Sequence, residues 1–187
     1  VTIDLCYCYP HGDGHFPNFL RFIDSYLKNP PLGNHGTAIL TDLGDIDDTV
    51  HLSRAVFDKP QFFQSSDAAL DIGRYQEFSK QSTADVILFR CGTTYIRKPG
   101  WLHRISNAVG KWGVDALYGS MGNTGDSAFN VYPHIRTTAF WIGRNLFNRY
   151  PVKLTQKEQR YEFEHGATGL TTWIRKEIRV AVQAIRR

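Results

Sequence analysis

The chain has 187 residues, of which 42% are hydrophobic and 13% aromatic, and its 22 Lys and Arg against 18 Asp and Glu give a net charge of +4. These values are typical of a globular protein, and they exclude a largely disordered chain. No block of like charge points to nucleic acid as a partner, whereas a mildly basic surface suits an anionic ligand.

No apolar run approaches the roughly 20 residues needed to span a bilayer, and the first residues lack the basic and apolar regions of a signal peptide. Three cysteines are too few for a disulfide framework, and none has CxxC spacing. We therefore expect a cytoplasmic protein. The basic residues between 175 and 187 leave open the alternative of a peripheral contact with the inner face of the membrane. We expect one domain over residues 1–187. Since position 1 is Val, the alternative that this chain is a fragment of a longer one stays open.

Apolar periodicity and breaker residues divide the chain into alternating strands and helices. The predicted elements are, in order, strand 3–9, a helix from Phe16 to before Pro30, strand 37–40, helix 49–57, strand 61–64, helix 71–81, strand 85–89, helix 102–112, strand 116–120, a loop at 122–126, strand 135–142, helix 144–150, a polar connection at 152–158, helix 168–176 and strand 178–184. This alternation predicts an α/β fold with a mostly parallel sheet flanked by helices on both faces.

Polar residues follow several of the predicted strands where those strands end. Tyr9 ends the first strand, Asp42 follows the second, and Arg90 begins a polar tip after the apolar strand 85–89. His134 and Arg136 lie at the start of another strand. In open α/β sheets, ligands bind outside the carboxyl ends of the strands. An aromatic ring, carboxylates and arginines there fit a nucleotide-linked ligand, with the phosphates bound by arginine.

Five segments in order resemble one enzyme family. They are ALDIG at 69–73, DVILFRCGTTYIRKPGWL at 85–102, LYGSMGNTGD at 117–126, HIRTTAFWIGRNLF at 134–147 and RYEFEHGATGLTTWIRKEIRV at 160–180. They resemble inverting GT-A glycosyltransferases of the family-2 type, close to the branch of rhamnan and capsule polysaccharide synthesis. The resemblance implies a GT-A fold and transfer of a sugar from a nucleotide-diphosphate donor to a glycan or lipid-linked acceptor, in surface polysaccharide synthesis.

The same resemblance assigns expected roles to individual residues. The expected donor-binding residues are Tyr9, Asp42, Asp71, Arg74, Arg90, Cys91, Gly92 and Thr93. Those expected at the acceptor or the diphosphate are His134, Arg136 and His165.

An inverting transferase also needs a base for the acceptor hydroxyl, and Glu164 is the first candidate, followed by Glu162. The two side chains point the same way if the chain is extended there and diverge if it is helical. Each expectation has a structural alternative: a core position for Tyr9, a helix cap for Asp71 and helix-terminal acids for the glutamates.

One departure from the family pattern concerns the metal. The family's triplet after the central strand carries two aspartates that hold Mn²⁺ or Mg²⁺, whereas this chain has Cys91, Gly92 and Thr93 there. Hard cations prefer oxygen ligands, so we expect no metal at the triplet and arginines or lysine in its place. Three alternatives stay open: an inactive GT-A-like domain that binds nucleotide or glycan, a metal held by His134, His165 and a glutamate, and a nucleotidyltransferase with a glycine-rich loop at 11–14.

Overall fold

The computed structural model describes residues 1–9, 14–41, 47–64, 70–123, 132–178 and 182–184. The strands are β1 Ile3–Cys8, β2 Gly36–Thr41, β3 Gln61–Gln64, β4 Val86–Arg90, β5 Leu117–Gly119, β6 Gly122–Asn123, β7 His134–Ile135, β8 Ala139–Gly143 and β9 Val182–Ala184. The helices are α1 Phe16–Lys28, α2 Asp47–Val56, α3 Leu70–Gln81, α4 Trp101–Trp112, α5 Arg144–Asn148, α6 Gln159–His165 and α7 Leu170–Trp173, which continues as a π-helical turn over Ile174–Ile178.

Seven strands form one sheet in the order β3-β2-β1-β4-β8-β5-β9. All neighbouring pairs are parallel except those of β8, which runs antiparallel to both β4 and β5. The short strands β6 and β7 form a separate antiparallel pair. The predicted α/β class with a mostly parallel sheet is therefore confirmed.

The sheet is buried on both faces, as its near-continuous apolar strands predict. Alternate residues of β1 and β4 enter two different core clusters, because successive side chains of a strand point to opposite faces. Cys6 and Phe89 pack with α3, α5 and α6 on one face, whereas Leu5 and Leu88 pack with α1 and α4 on the other. Helices thus cover both faces, and the strand ends are left for a ligand.

Two local predictions differ from the structure. Residues 135–142 are not one strand: β7 ends at Ile135 and β8 begins at Ala139. The break occurs because β7 pairs with β6 outside the main sheet, and the Arg136 N–H then bonds to the Met121 carbonyl at 3.1 Å. Helix α6 was not predicted, because Phe163 is its one buried apolar residue and gives no periodic signal.

The antiparallel direction of β8 determines what meets at the functional edge of the sheet. Since β8 runs against β4, the start of β8 lies beside the end of β4, and Arg90 is paired with Ala139. The Cys91 N–H donates to the Thr138 carbonyl at 3.0 Å and extends this contact beyond the strands. The segment 134–138 therefore faces the ends of β1 and β4. Within the described residues, no helix is long and apolar enough to cross a membrane.

Candidate functional site

The tip that follows β4 is held in a defined shape. The hydroxyl of the fully buried Tyr7 donates to the Gly92 carbonyl at 2.7 Å. The Arg21 guanidinium donates to the Thr93 carbonyl at 2.8 Å, and the Thr94 N–H donates to the Cys91 carbonyl at 3.0 Å. Contacts from β1 and α1 and one hydrogen bond within the tip therefore fix a backbone segment that has no regular structure of its own.

A cavity of about 720 Å³ opens beside this tip. It brings together nine of the residues predicted from the sequence: Asp71, Arg74, Cys91, Gly92, Thr93, His134, Arg136, Glu164 and His165. The other lining residues are Cys8, His15, Ile72, Asn123, Thr137, Thr138, Arg160 and Tyr161. The carboxyl edge of the sheet thus holds a cavity large enough for a nucleotide-sized ligand, as expected for an open α/β sheet.

Three arginines line the cavity. Arg74 is buried, and its Nη1 donates to the Tyr9 carbonyl at 3.0 Å. Arg136 is exposed on the loop between β7 and β8, and Arg160 is half-buried on α6. Asp71 lies in the first turn of α3, where burial raises its pKa and the Ile72 N–H bond and the Arg160 charge oppose that rise. Three guanidinium groups against the carboxyl groups of Asp71 and Glu164 make the cavity suitable for an anion.

Glu164 is oriented by two neighbours. The Thr137 hydroxyl donates to Glu164 Oε2 in a short hydrogen bond. His134 Nε2 lies 3.6 Å from Glu164 Oε1, and the His134 ring is held from the other side, where Nδ1 donates to the Tyr132 carbonyl at 2.8 Å. The carboxylate is therefore held at the cavity surface by Thr137, in the loop between β7 and β8, and lies beside His134 of β7.

Glu162 is directed elsewhere, because α6 is helical and residues two apart diverge by about 200°. Its carboxylate accepts hydrogen bonds from the Thr168 N–H at 2.8 Å and the Thr168 hydroxyl at 2.7 Å. These bonds lower the pKa of Glu162. Glu162 is not a lining residue of the cavity and fastens the turn after α6.

Two other predicted residues do not line this cavity. Tyr9 is buried with its ring edge-on to Phe19, and its carbonyl accepts a hydrogen bond from Arg74. Arg90 donates to the Tyr95 carbonyl at 2.7 Å and lines a second cavity of about 710 Å³ on the other face of the sheet. Burial lowers the pKa of Arg90 to about 10. Asp42 lies outside the described residues.

The sequence-based prediction missed Arg160 and Tyr161 as lining residues. A helical assignment of 159–165 would have found both, because Arg160 and Glu164 are four residues apart, as are Tyr161 and His165, and such pairs share a helix face. Thr137 belongs to the polar run that begins at His134, but no sequence pattern pairs it with Glu164, since that contact depends on the break between β7 and β8.

The tip after β4 does not fit a hard divalent cation. Cys91 Sγ and Thr93 Oγ1 lie 3.3 Å apart, and they offer a thiol and a hydroxyl where Mg²⁺ or Mn²⁺ requires carboxylate oxygen. We therefore derive no step through a metal at this tip.

No protein-family model and no curated protein matches the sequence. Solved structures do match. The 4-diphosphocytidyl-2C-methyl-D-erythritol synthase of Anaerococcus prevotii aligns with a TM-score of 0.66 and 10% identity over 99% of this chain and 86% of its own. HddC of Yersinia pseudotuberculosis, complexed with GMP-PN, aligns with a TM-score of 0.60 and 13% identity over 98% of this chain and 90% of its own.

A protein of Desulfovibrio desulfuricans assigned as a nucleotide-diphospho-sugar transferase aligns with a TM-score of 0.53 and 13% identity over 99% of this chain and 79% of its own. This chain has the fold of the nucleotidyltransferases and nucleotide-diphospho-sugar transferases. At these identities the likeness establishes the fold and leaves the reaction to be argued from the site.

Proposed function

We propose that this chain is a glycosyltransferase that binds a nucleotide-diphosphate sugar in the first cavity and transfers the sugar, with inversion, to a glycan or lipid-linked acceptor. One observation carries the proposal: three arginines line a cavity in which the Glu164 carboxylate accepts a hydrogen bond from Thr137 and lies 3.6 Å from His134 Nε2. Sugar transfer from a diphosphate requires both groups: positive charge to stabilise the leaving diphosphate, and a base to take the proton of the acceptor hydroxyl.

In the proposed reaction, an acceptor hydroxyl attacks the anomeric carbon of the donor sugar while Glu164 takes the hydroxyl proton. The bond from the anomeric carbon to the diphosphate oxygen breaks, and its electron pair leaves with the diphosphate. Arg74, Arg136 and Arg160 stabilise the negative charge that develops on this leaving group, in the role that a metal ion has in other nucleotide-dependent transferases. Inversion follows because the proton acceptor and the leaving group act on opposite faces of the sugar.

Buried polar groups in the cavity wall also favour a polar ligand. Within the described part of the chain, Thr138 Oγ1 and His15 Nδ1 are buried and have no hydrogen-bond partner. Both residues line the first cavity. A buried polar atom without a partner is costly, and a sugar or phosphate oxygen would satisfy it.

Donor binding is tested by thermal shift with a panel of nucleoside diphosphates, without added Mn²⁺ or Mg²⁺. At least one is expected to raise Tm, and Arg160→Ala is expected to reduce that shift, whereas Arg149→Ala, an exposed arginine on no cavity wall, keeps it. A Tm that no nucleotide moves would count against donor binding.

The base is tested by two matched glutamine variants. Glu164→Gln is expected to lower transfer by about 10²–10⁴-fold while nucleotide binding persists, since positioned general bases contribute in that range. Glu162→Gln is expected to keep transfer, because its carboxylate binds Thr168 outside the cavity. Equal losses in the two variants, or full activity in Glu164→Gln, would remove Glu164 from this role.

A nucleotidyltransferase is the second candidate, and the structural likeness to a 4-diphosphocytidyl-2C-methyl-D-erythritol synthase favours it. The two reactions release different products. A nucleotidyltransferase consumes a nucleoside triphosphate and a phosphorylated acceptor and releases pyrophosphate, whereas a glycosyltransferase consumes a sugar nucleotide and releases a nucleoside diphosphate. Pyrophosphate release from a triphosphate and sugar-phosphate panel, with no turnover of sugar nucleotides, would decide for the second candidate. Nucleotide binding without either product would identify an inactive binding domain.

A further inference from the structure

His134, Glu164 and His165 form a compact cluster of metal-ligating side chains at one end of the first cavity. Each offers one ligand atom, and the three atoms all lie within 4.8 Å of one another. His134 is buried, and the other two are half-buried. Two imidazoles and one carboxylate are a donor set that first-row transition metals prefer and that Mg²⁺ and Ca²⁺ do not.

The hydrogen bonding of His134 determines which ring nitrogen carries the proton and which directs a lone pair at Glu164. A carbonyl oxygen only accepts, so Nδ1 must carry the proton that it donates to Tyr132 at 2.8 Å. Nε2 of the neutral ring is then an acceptor, and it faces another acceptor, Glu164 Oε1. This is the arrangement of a metal-binding histidine, whose second nitrogen is held by a backbone carbonyl.

The distance between these two acceptors also suits a metal. Nε2 and Oε1 are 3.6 Å apart, which is too long for a direct hydrogen bond. Two ligands of a tetrahedral zinc ion are about 3.4 Å apart, given metal–ligand distances of about 2.0–2.1 Å. The ring centroids of His134 and His165 are 5.6 Å apart, and the ligand atom of His165 lies within 4.8 Å of those of His134 and Glu164.

We infer that His134, Glu164 and His165 bind a transition-metal ion of the zinc type, with a fourth position open to the cavity. The site is made of other residues than the tip after β4, where the family resemblance implies a metal and where Cys91, Gly92 and Thr93 do not fit one. A second consequence rests on the proposed function: a metal on Glu164 Oε1 removes this carboxylate as a base, so zinc inhibits transfer.

Binding is tested on untagged, reduced protein by calorimetric titration with Zn²⁺ and by the visible absorption of added Co²⁺, which reports tetrahedral coordination. One ion per chain is expected. His165→Ala and Glu164→Gln are each expected to weaken Zn²⁺ binding by at least about tenfold, the loss typical of removing even an outer partner of a metal site, and to abolish the Co²⁺ bands. Both residues are half-buried, so these variants leave the core intact.

Two controls separate this site from other zinc-binding groups. His103→Ala removes an exposed histidine of α4, and Cys91→Ser removes a partly exposed thiol that lines the same cavity as the cluster. Both variants are expected to bind Zn²⁺ as the parent protein does. Absence of binding, equal affinity in all variants, or loss of binding in Cys91→Ser would each overturn the inference.

The inhibition is a separate readout. If the chain transfers sugar, Zn²⁺ is expected to lower the rate of the parent protein, and the ratio of rates with and without Zn²⁺ is expected to approach one in His165→Ala. If Zn²⁺ binds and no transfer is found, the metal site stands and the proposed function fails. If transfer is found and Zn²⁺ does not bind, the proposed function stands and the metal site fails.

Discussion

Tyr7 offers a direct test of whether the tip after β4 must be held in place for ligand binding. Its hydroxyl donates to the Gly92 carbonyl at 2.7 Å, and its ring stacks on Phe22 with centroids 4.2 Å apart. Tyr7→Phe removes the hydrogen bond and keeps the ring. Because Tyr7 is fully buried, the Gly92 carbonyl loses its partner without gaining water, which costs about 1–3 kcal/mol.

The matched control is Tyr118→Phe. Tyr118 is also fully buried, its ring stacks on Trp141 with centroids 5.6 Å apart, and its hydroxyl donates to the Gly113 carbonyl. Gly113 follows α4 and lines neither cavity. Both variants are expected to lower the free energy of unfolding in urea, with a fall in Tm of about 2–4 °C per kcal/mol for a chain of this size. The loss is expected to be smaller in Tyr118→Phe, because Gly113 is exposed and its carbonyl can bind water instead.

Ligand affinity should separate the two variants. In Tyr7→Phe the tip must be ordered on binding, and if this costs about 1 kcal/mol, the affinity for the best nucleoside diphosphate falls about fivefold. In Tyr118→Phe the affinity is expected to stay at the parent value, as measured by calorimetric titration. An unchanged affinity in Tyr7→Phe, alongside the expected loss of stability, would refute the idea that this bond positions the tip.

Three further predictions concern other contacts. Hydrogen bonds from Thr168 lower the pKa of Glu162 in the folded protein. The contact therefore stabilises the fold at pH values above the carboxyl's ordinary pKa of 4.5, and this stabilisation is lost as the pH falls through the lowered pKa. The Tm difference between the parent protein and Glu162→Gln is therefore expected to be positive at about pH 7 and to disappear once the pH has fallen below the lowered value. Gly119→Ala is expected to cost about 1–3 kcal/mol in urea unfolding, because the added Cβ meets the Ile135 side chain, and an undiminished stability would contradict this packing. Thr137→Val removes the hydroxyl that orients Glu164, so kcat should fall about tenfold, equivalent to about 1.4 kcal/mol, with nucleotide affinity kept; a loss of affinity alone would point to a binding role.

Much of the fold follows from local sequence patterns. The apolar run 85–89 between polar ends leaves little choice other than a buried strand, and β4 begins and ends within one residue of the prediction. The tip of β4 can then be assigned to the carboxyl edge of the sheet, which places residues 91–93 at the cavity. Periodicity and topology rules suffice for this tip, whereas Asp71 and Arg74 lie in α3 and are expected at the site from the family resemblance.

Other features depend on tertiary contacts that no local pattern encodes. The direction of β8 follows from its pairing with β4 and β5, and the break before it follows from the pairing of β7 with β6. Helix α6 has a single buried apolar residue, Phe163, so the sequence pattern does not distinguish a helix from an extended segment there. The helical geometry is what directs Glu162 and Glu164 to different sides. The side of the sheet that Arg90 occupies depends on strand register, and a shift of one residue would reverse it.

The two walls of the first cavity come from distant parts of the chain. One wall includes Arg74 and the tip after β4, whereas the other consists of residues 134–138 and 160–165. A ligand that contacts both walls acts as a reversible cross-link between the early strands and the late helices. Amide hydrogen exchange in α6 should therefore slow on ligand binding far more than exchange in α4, whose residues do not line this cavity.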